Sequence, residues 1–197
     1  MEITKKGRFI TDFYGSAPAL GAEGILAKWV EDKTNAWLLS WAEQVKKKGQ
    51  TAIQALEEIL SVFHRDNKNN PILGNWMLRK CLIVTGQTIF NAMKDKSHPK
   101  RSIIPMAIQL VEPIHINISN GNGIVSKPDG VKTYTVTVKN RSFFKAYEYI
   151  KAGSTFETTI YFDEELLSEE HIELLLNKSG SVGVGAFRER FGKFEWM

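Results

Sequence analysis

Apolar residues recur at two spacings along the chain, and these spacings predict strands and helices in turn. Residues 8–14 are rich in aromatic and β-branched types and read as a first strand, which Gly15-Ser16-Ala17-Pro18 ends. Gly21 and Gly24 open the loop that follows. Between 34 and 48, Trp37, Trp41 and Val45 recur at helical spacing beside Leu38, which predicts a helix with its tryptophans in the core. Lys46, Lys47 and Lys48 fill its last turn as a solvated end and Gly49 stops it. Thr51 and Gln54 stand at capping-box spacing, and Ile53, Leu56, Leu60 and Phe63 mark the buried stripe of a second helix. The polar cluster from His64 to Pro71 ends that helix.

A longer helix is expected over 76–94, capped by Asn75, with Leu78, Cys81, Leu82, Ile89 and Phe90 on its apolar face. Gly86 in its middle predicts close packing of another element. Residues 102–118 read as strand, with Pro105 and Pro113 at an edge or bend. Turn signals at 119–123 and 128–130 precede an alternating strand at 131–139, which 140–149 continues in a basic and aromatic register. Phe156, Thr158, Ile160 and Phe162 predict one buried face of a strand at 154–163. Ser168 caps a last helix over 168–179, Gly180 is placed just past its end, and 184–196 reads as the final strand.

Strand 8–14, helix 76–94, strand 102–118, strand 154–163, helix 168–179 and strand 184–196 give the order β-α-β-β-α-β. That order predicts an α+β protein with a ferredoxin-like core. The chain is read as a single domain, 1–197, carrying a helical insertion at 20–72 and a protruding hairpin arm at 119–150. The same sheet carries RNA on its open face in RNA-recognition domains, but the fold alone does not grant that function.

Composition narrows this modestly. With 43% hydrophobic and 24% charged residues, the chain has the balance of a soluble globular protein. A net charge of +4 is compatible with nucleic acid without selecting it. Cys81 is the one cysteine, so no disulfide can close within the chain; its place in an apolar helix pattern reads as core. No apolar run is long enough to span a membrane, and a cytoplasmic protein is expected. His64, His98, His115 and His171 are scattered, and no zinc-site spacing or phosphate-loop motif occurs. No metal or cofactor is therefore expected. The acidic group Asp163, Glu164, Glu165, Glu169 and Glu170 reads as a solvated turn and helix start.

The C-terminal third carries the most distinctive pattern. Val138-Lys139-Asn140-Arg141 is followed by Phe143, then by the strand at 154–163 and the helix at 168–179. Gly183-Val184-Gly185-Ala186-Phe187-Arg188 and Phe191-Gly192-Lys193-Phe194 close the chain. This arrangement resembles small phage and prophage proteins that end in a G-x-G-x-F-R-x-x-x-G-x-F element. More distantly it resembles the RAMP proteins of CRISPR effector complexes, including the subunits that form the crRNA-binding backbone. The resemblance spans roughly the last sixty residues. It implies a ferredoxin-like core with a glycine-rich loop, in a protein that lines single-stranded RNA and stacks into a homo-oligomer or multi-subunit complex. The glycine-rich loops of those subunits are richer in Arg and Lys than this one.

The leading expectation is thus a non-enzymatic, single-stranded nucleic-acid-binding and assembly protein. Its backbone contacts would come from Arg79, Lys100, Arg101, Lys139, Arg141, Arg188, Arg190 and Lys193, with Phe143, Phe144 or Phe187 stacking on bases. Gly183 and Gly185 would permit close approach, and Arg188 and Arg190 would share one face of the last strand. One alternative is a protein-interaction module, such as a phage inhibitor of host defence or a structural component. The other is a metal-independent RNA endonuclease using a histidine as general base.

Overall fold

The computed structural model of the chain describes residues 1–19, 36–93, 99–138, 141–186 and 190–197, with backbone alone at 36, 136–138 and 141–143. Among these residues the protein is a mixed α+β molecule of thirteen strands in two sheets and five helices. In chain order these are β1 (Glu2–Phe9), β2 (Phe13–Tyr14), β3 (Ala17–Pro18), α1 (Ala36–Val45), α2 (Ala52–Ile59), β4 (Leu60–Val62), β5 (His64–Arg65), β6 (Pro71–Gly74) and α3 (Asn75–Ala92). There follow α4 (Ile104–Ala107), β7 (Ile108–Glu112), β8 (His115–Asn120), β9 (Gly123–Ile124), β10 (Gly130–Val138), β11 (Arg141–Ile150), β12 (Thr155–Phe162), α5 (Glu169–Val182) and β13 (Phe194–Trp196). The chain divides into two compact units, one of 1–14, 64–127 and 150–197, the other of 15–63 and 128–149.

The first unit is built on a sheet in the order β13-β1-β12-β8-β6-β5, with β7 also pairing β12 and β9 pairing β8. Every pair in it is antiparallel. Alternation sets its two faces. Phe156, Thr158, Ile160 and Phe162 of β12 are buried on one side, as the sequence predicts, while Glu157 is exposed on the other. β1 lies between β12 and β13, pairing Gly7 with both Phe156 and Trp196. Its outward positions are Glu2, Thr4, Lys6 and Arg8, all exposed. That charged face hides most of the strand from a reading based on apolar residues, which placed it at 8–14.

Helices α3 and α5 pack on each other across small residues. A Cβ on Gly86 would lie 2.8 Å from Ile104 Cγ2 and 3.4 Å from Leu175 Cδ1, so the predicted close packing is met by α4 and α5. Cys81 is buried, and its Sγ donates to Ser179 O at 3.2 Å. Beneath them Phe156 touches the rings of Phe9, Phe194 and Trp196, with centroids 5.2, 5.4 and 5.7 Å away. Rings in this offset and edge-on range add attraction beyond the area they bury.

The second unit has strands in the order β10-β11-β4-β3. β10 and β11 form an antiparallel hairpin, from Gly130 opposite Tyr149 to Val138 opposite Arg141. α1 and α2 cover the sheet, burying Leu38, Ala42, Ala55, Leu56, Leu60, Val62 and Ala146. The capping box is present: Gln54 N donates to Thr51 Oγ1 at 3.2 Å and Thr51 N to Gln54 Oε1 at 3.0 Å. Glu148 is fully buried. Its Oε2 accepts from Phe63 N at 2.7 Å and its carbonyl from Gly15 N at 3.0 Å.

Several expectations change. The stretch 20–72 is not helical throughout: 20–35 lies outside the described residues, and from Leu60 the chain turns to strands β4, β5 and β6. The polar cluster after His64 is the turn of the β5–β6 hairpin, where Asp66 Oδ1 accepts from Lys68 N and Asn70 N. Residues 102–118 hold a short helix with Pro105 in its first turn, then two strands parted at the cis Glu112–Pro113 bond. The predicted arm divides between β8–β9 and β10–β11. Asn75 does not cap α3; Gly74 holds that position, and Asn75 Nδ2 donates to Val111 O at 2.8 Å. Gly180 lies inside α5, and Gly183, at φ +77°, ends it. Trp37 is 43% exposed rather than core.

Candidate nucleic-acid interface

The sequence-predicted residues fall into three groups. Around α4, Arg79 donates from Nε to Ile108 O at 3.0 Å and from Nη2 to Pro105 O at 2.7 Å. It ties α3 to the end of α4, where main-chain carbonyls lack helical partners. Lys100 and Arg101 lie exposed in the turn just before α4.

The second group is the glycine-rich turn, where the predicted strand at 184–196 shrinks to Phe194–Trp196. Gly183, Gly185 and Gly192 have φ of +77°, +79° and +65°, which a strand cannot accommodate. The turn is folded onto the end of β1 and the residues after it. Val184 N donates to Gly192 O, Ala186 N to Tyr14 O and Gly192 N to Asp12 O, at 3.0, 3.3 and 2.7 Å. A Cβ on Gly185 would strike the Phe13 ring and Tyr14 O, so the close approach it permits is to the protein's own chain. Lys193 is half-buried, and its N–H donates to Thr11 Oγ1 at 2.9 Å. Arg190 is exposed in a turn rather than on a strand. Phe187 and Arg188 lie outside the described residues.

The third group is in the second unit. Arg141 and Phe143 sit in β11 with only their backbone described, and Lys139 lies outside the described residues. Phe144 is 45% exposed, edge-on to Trp41 at 6.0 Å. The lysine run after α1 is engaged with carboxylates: Lys46 with Glu43 at 2.5 Å and Lys47 with Glu58 at 2.7 Å. The Lys47 hydrogen bond holds the Glu58 carboxyl below its usual range.

The outward face of the first unit's sheet carries polar and charged residues on β1, β12 and β8. Over β1, β12 and β7, Arg8 is paired with Glu195, and Thr4 Oγ1 meets Thr159 Oγ1 at 2.9 Å. Glu112, Pro113, Ile114, Glu157, Thr158 and Thr159 line with Thr4 an open hollow of about 490 Å³. Two carboxylates make this hollow unfavourable for phosphate. Tyr161 donates to Glu112 Oε2 at 3.3 Å; desolvation first, then the charges of Glu2 and Glu112, raise its hydroxyl pKa.

Over β8, β6 and β5 there is no such acidity. His64 is opposite Ile72, Asn117 is opposite Ile72 on the other side, and His115 is opposite Gly74. Directly paired residues share a face, so His64, Asn117 and His115 point the same way. Trp76, 44% exposed, lies over Gly74, where any Cβ would overlap the indole. His64 meets Trp76 edge-on at 5.0 Å, and burial, then the nearby His115, lower the His64 pKa. The sequence signal for this group was Trp76 itself, off the apolar stripe that Leu78, Cys81 and Leu82 define.

His171 is engaged elsewhere, with Nδ1 2.8 Å from Ser168 Oγ. Among the described residues no three His, Cys, Asp or Glu side chains are placed to hold a metal ion. No helix among them is long and apolar enough to cross a membrane. No protein-family model and no curated protein matches the chain.

Proposed function

We propose that this chain is a RAMP-like, non-enzymatic protein of phage, prophage or CRISPR-related origin, which binds single-stranded nucleic acid, RNA foremost, and assembles on it in the cytoplasm. The observation that carries the reading is the strand order β13-β1-β12-β8, antiparallel throughout, with α3 and α5 paired. In β-α-β-β-α-β numbering this is 4-1-3-2, the order of a ferredoxin-like sheet. The glycine-rich turn between α5 and β13, which the resemblance rests on, is seated against the end of β1. Exposed Lys100, Arg101 and Arg190 supply backbone contacts, while Arg79 serves the fold.

The test is fluorescence anisotropy of labelled single-stranded RNA and DNA at low salt. Binding is expected to weaken linearly with log salt, and K100E/R101E is expected to lower the slope by roughly 0.7 per lost contact. Unchanged anisotropy up to the solubility limit of the protein would sink the reading.

A second reading, a protein-interaction module, is favoured by apolar exposure in the second unit: Trp37, Ile53 and Phe144 are 43, 50 and 45% exposed. A discrete nucleic-acid-free oligomer in light scattering, lost in W37A/I53A, would favour it.

A further inference from the structure

We propose that Trp76 is the stacking platform for one base of the bound strand, with His115 and Asn117 on the sheet beneath it reading or holding the same nucleotide. The proposal rests on the nucleic-acid reading above and names the site through which it acts. Trp76 is 44% exposed and yet held in place. Gly74 gives the indole a floor without a Cβ, and His64 walls its edge at 5.0 Å. An aromatic plane fixed before binding loses little entropy when a base stacks on it.

The surroundings select the occupant. His115 and Asn117 are exposed, face the same side as Gly74 and Ile72, and offer donors and acceptors to a base edge. Lys80 is exposed one helical turn beyond Trp76, where an ammonium can reach a flanking phosphate. Asp66, the carboxylate of the adjoining hairpin, is occupied by Lys68 N and Asn70 N. Phe144, one of the three stacking residues expected from sequence, is edge-on to Trp41.

The experiment titrates labelled twelve-nucleotide single-stranded RNA against wild type, W76A, W76F, H115A and W37A, with melting curves confirming each fold. W76A is expected to weaken binding about 5- to 100-fold, the range of one base stack, and W76F about threefold. H115A is expected to weaken it roughly three- to tenfold, since a base-edge contact is lost. W37A is expected to bind as wild type. H115A replaces an exposed strand residue and so remains informative if W76A fails to fold. W76A or H115A binding within about twofold of wild type overturns the platform while leaving the nucleic-acid reading standing. A wild-type protein that binds no strand overturns both.

Discussion

Arg79 shows how a basic residue can spend its donors on the protein's own backbone. Two of its donors are fixed on the carbonyls of Pro105 and Ile108. Arg79→Met is expected to destabilise the protein by about 1–3 kcal/mol, because buried acceptors lose their partner. A urea midpoint checks this, and the salt slope of any nucleic-acid binding should not move. Gly180 is another case. A Cβ there would overlap Phe194 O, so Gly180→Ala must push α5 off β13 at a cost of about 1–3 kcal/mol, read as a shift in the same urea midpoint. The sequence reading recognised a meaningful glycine and assigned it the wrong duty, since a cap and a close approach leave the same mark in a single chain. The fate of a side chain's donors, unlike its charge, is set by residues distant in sequence.

His64 carries a pH signature. Its half-burial and the charge of His115 lower its pKa in the folded state. Between the folded and unfolded pKa values the unfolded chain binds the proton more readily, so stability is full above the unfolded value and falls as pH drops through the folded one. The melting temperature is expected to fall from pH 7.5 to pH 5, and less so in His64→Gln. Asp66, also lowered, acts in the same sense but at more acidic pH, where carboxylates titrate.

Elements with local rules were legible. The capping box of α2, the Ser168 cap of α5 and the alternation of β12 are each decided by residues a few positions apart. Thr51→Ala is expected to cost about 1 kcal/mol and to reduce helicity measured by circular dichroism. Elements whose partners lie far off were not legible. β4, β5 and β6 are two to four residues long, too short for a period to emerge, and exist because β3, β8 and β11 pair with them. β13 looked longer than it is because apolar residues between glycines imitate alternation. Positive φ at Gly183, Gly185 and Gly192 keeps those positions out of a strand.

At the scale of the molecule, the α+β class could be read from the chain, whereas the two-unit division could not. Each unit takes residues from separate stretches, so no composition shift or linker marks the boundary. The candidate interface was only partly readable for a related reason. Residues at 64, 76, 115 and 117 meet only through the pairing of β5, β6 and β8. The basic residues picked out from sequence fall in separate places, with Lys100 and Arg101 before α4, Arg190 and Lys193 in the glycine-rich turn and Arg141 in the second unit.

The place of β1 between β12 and β13 has a consequence for the order of folding. Both of its neighbours, at 155–162 and 194–196, lie far along the chain. The space over Gly7, which the Phe156 ring fills, stays open until β12 arrives. Such distant closure slows folding. Pulse-labelled hydrogen exchange during refolding should therefore show the amides of β1 protected together with those of β12 and β13, and later than those of α3.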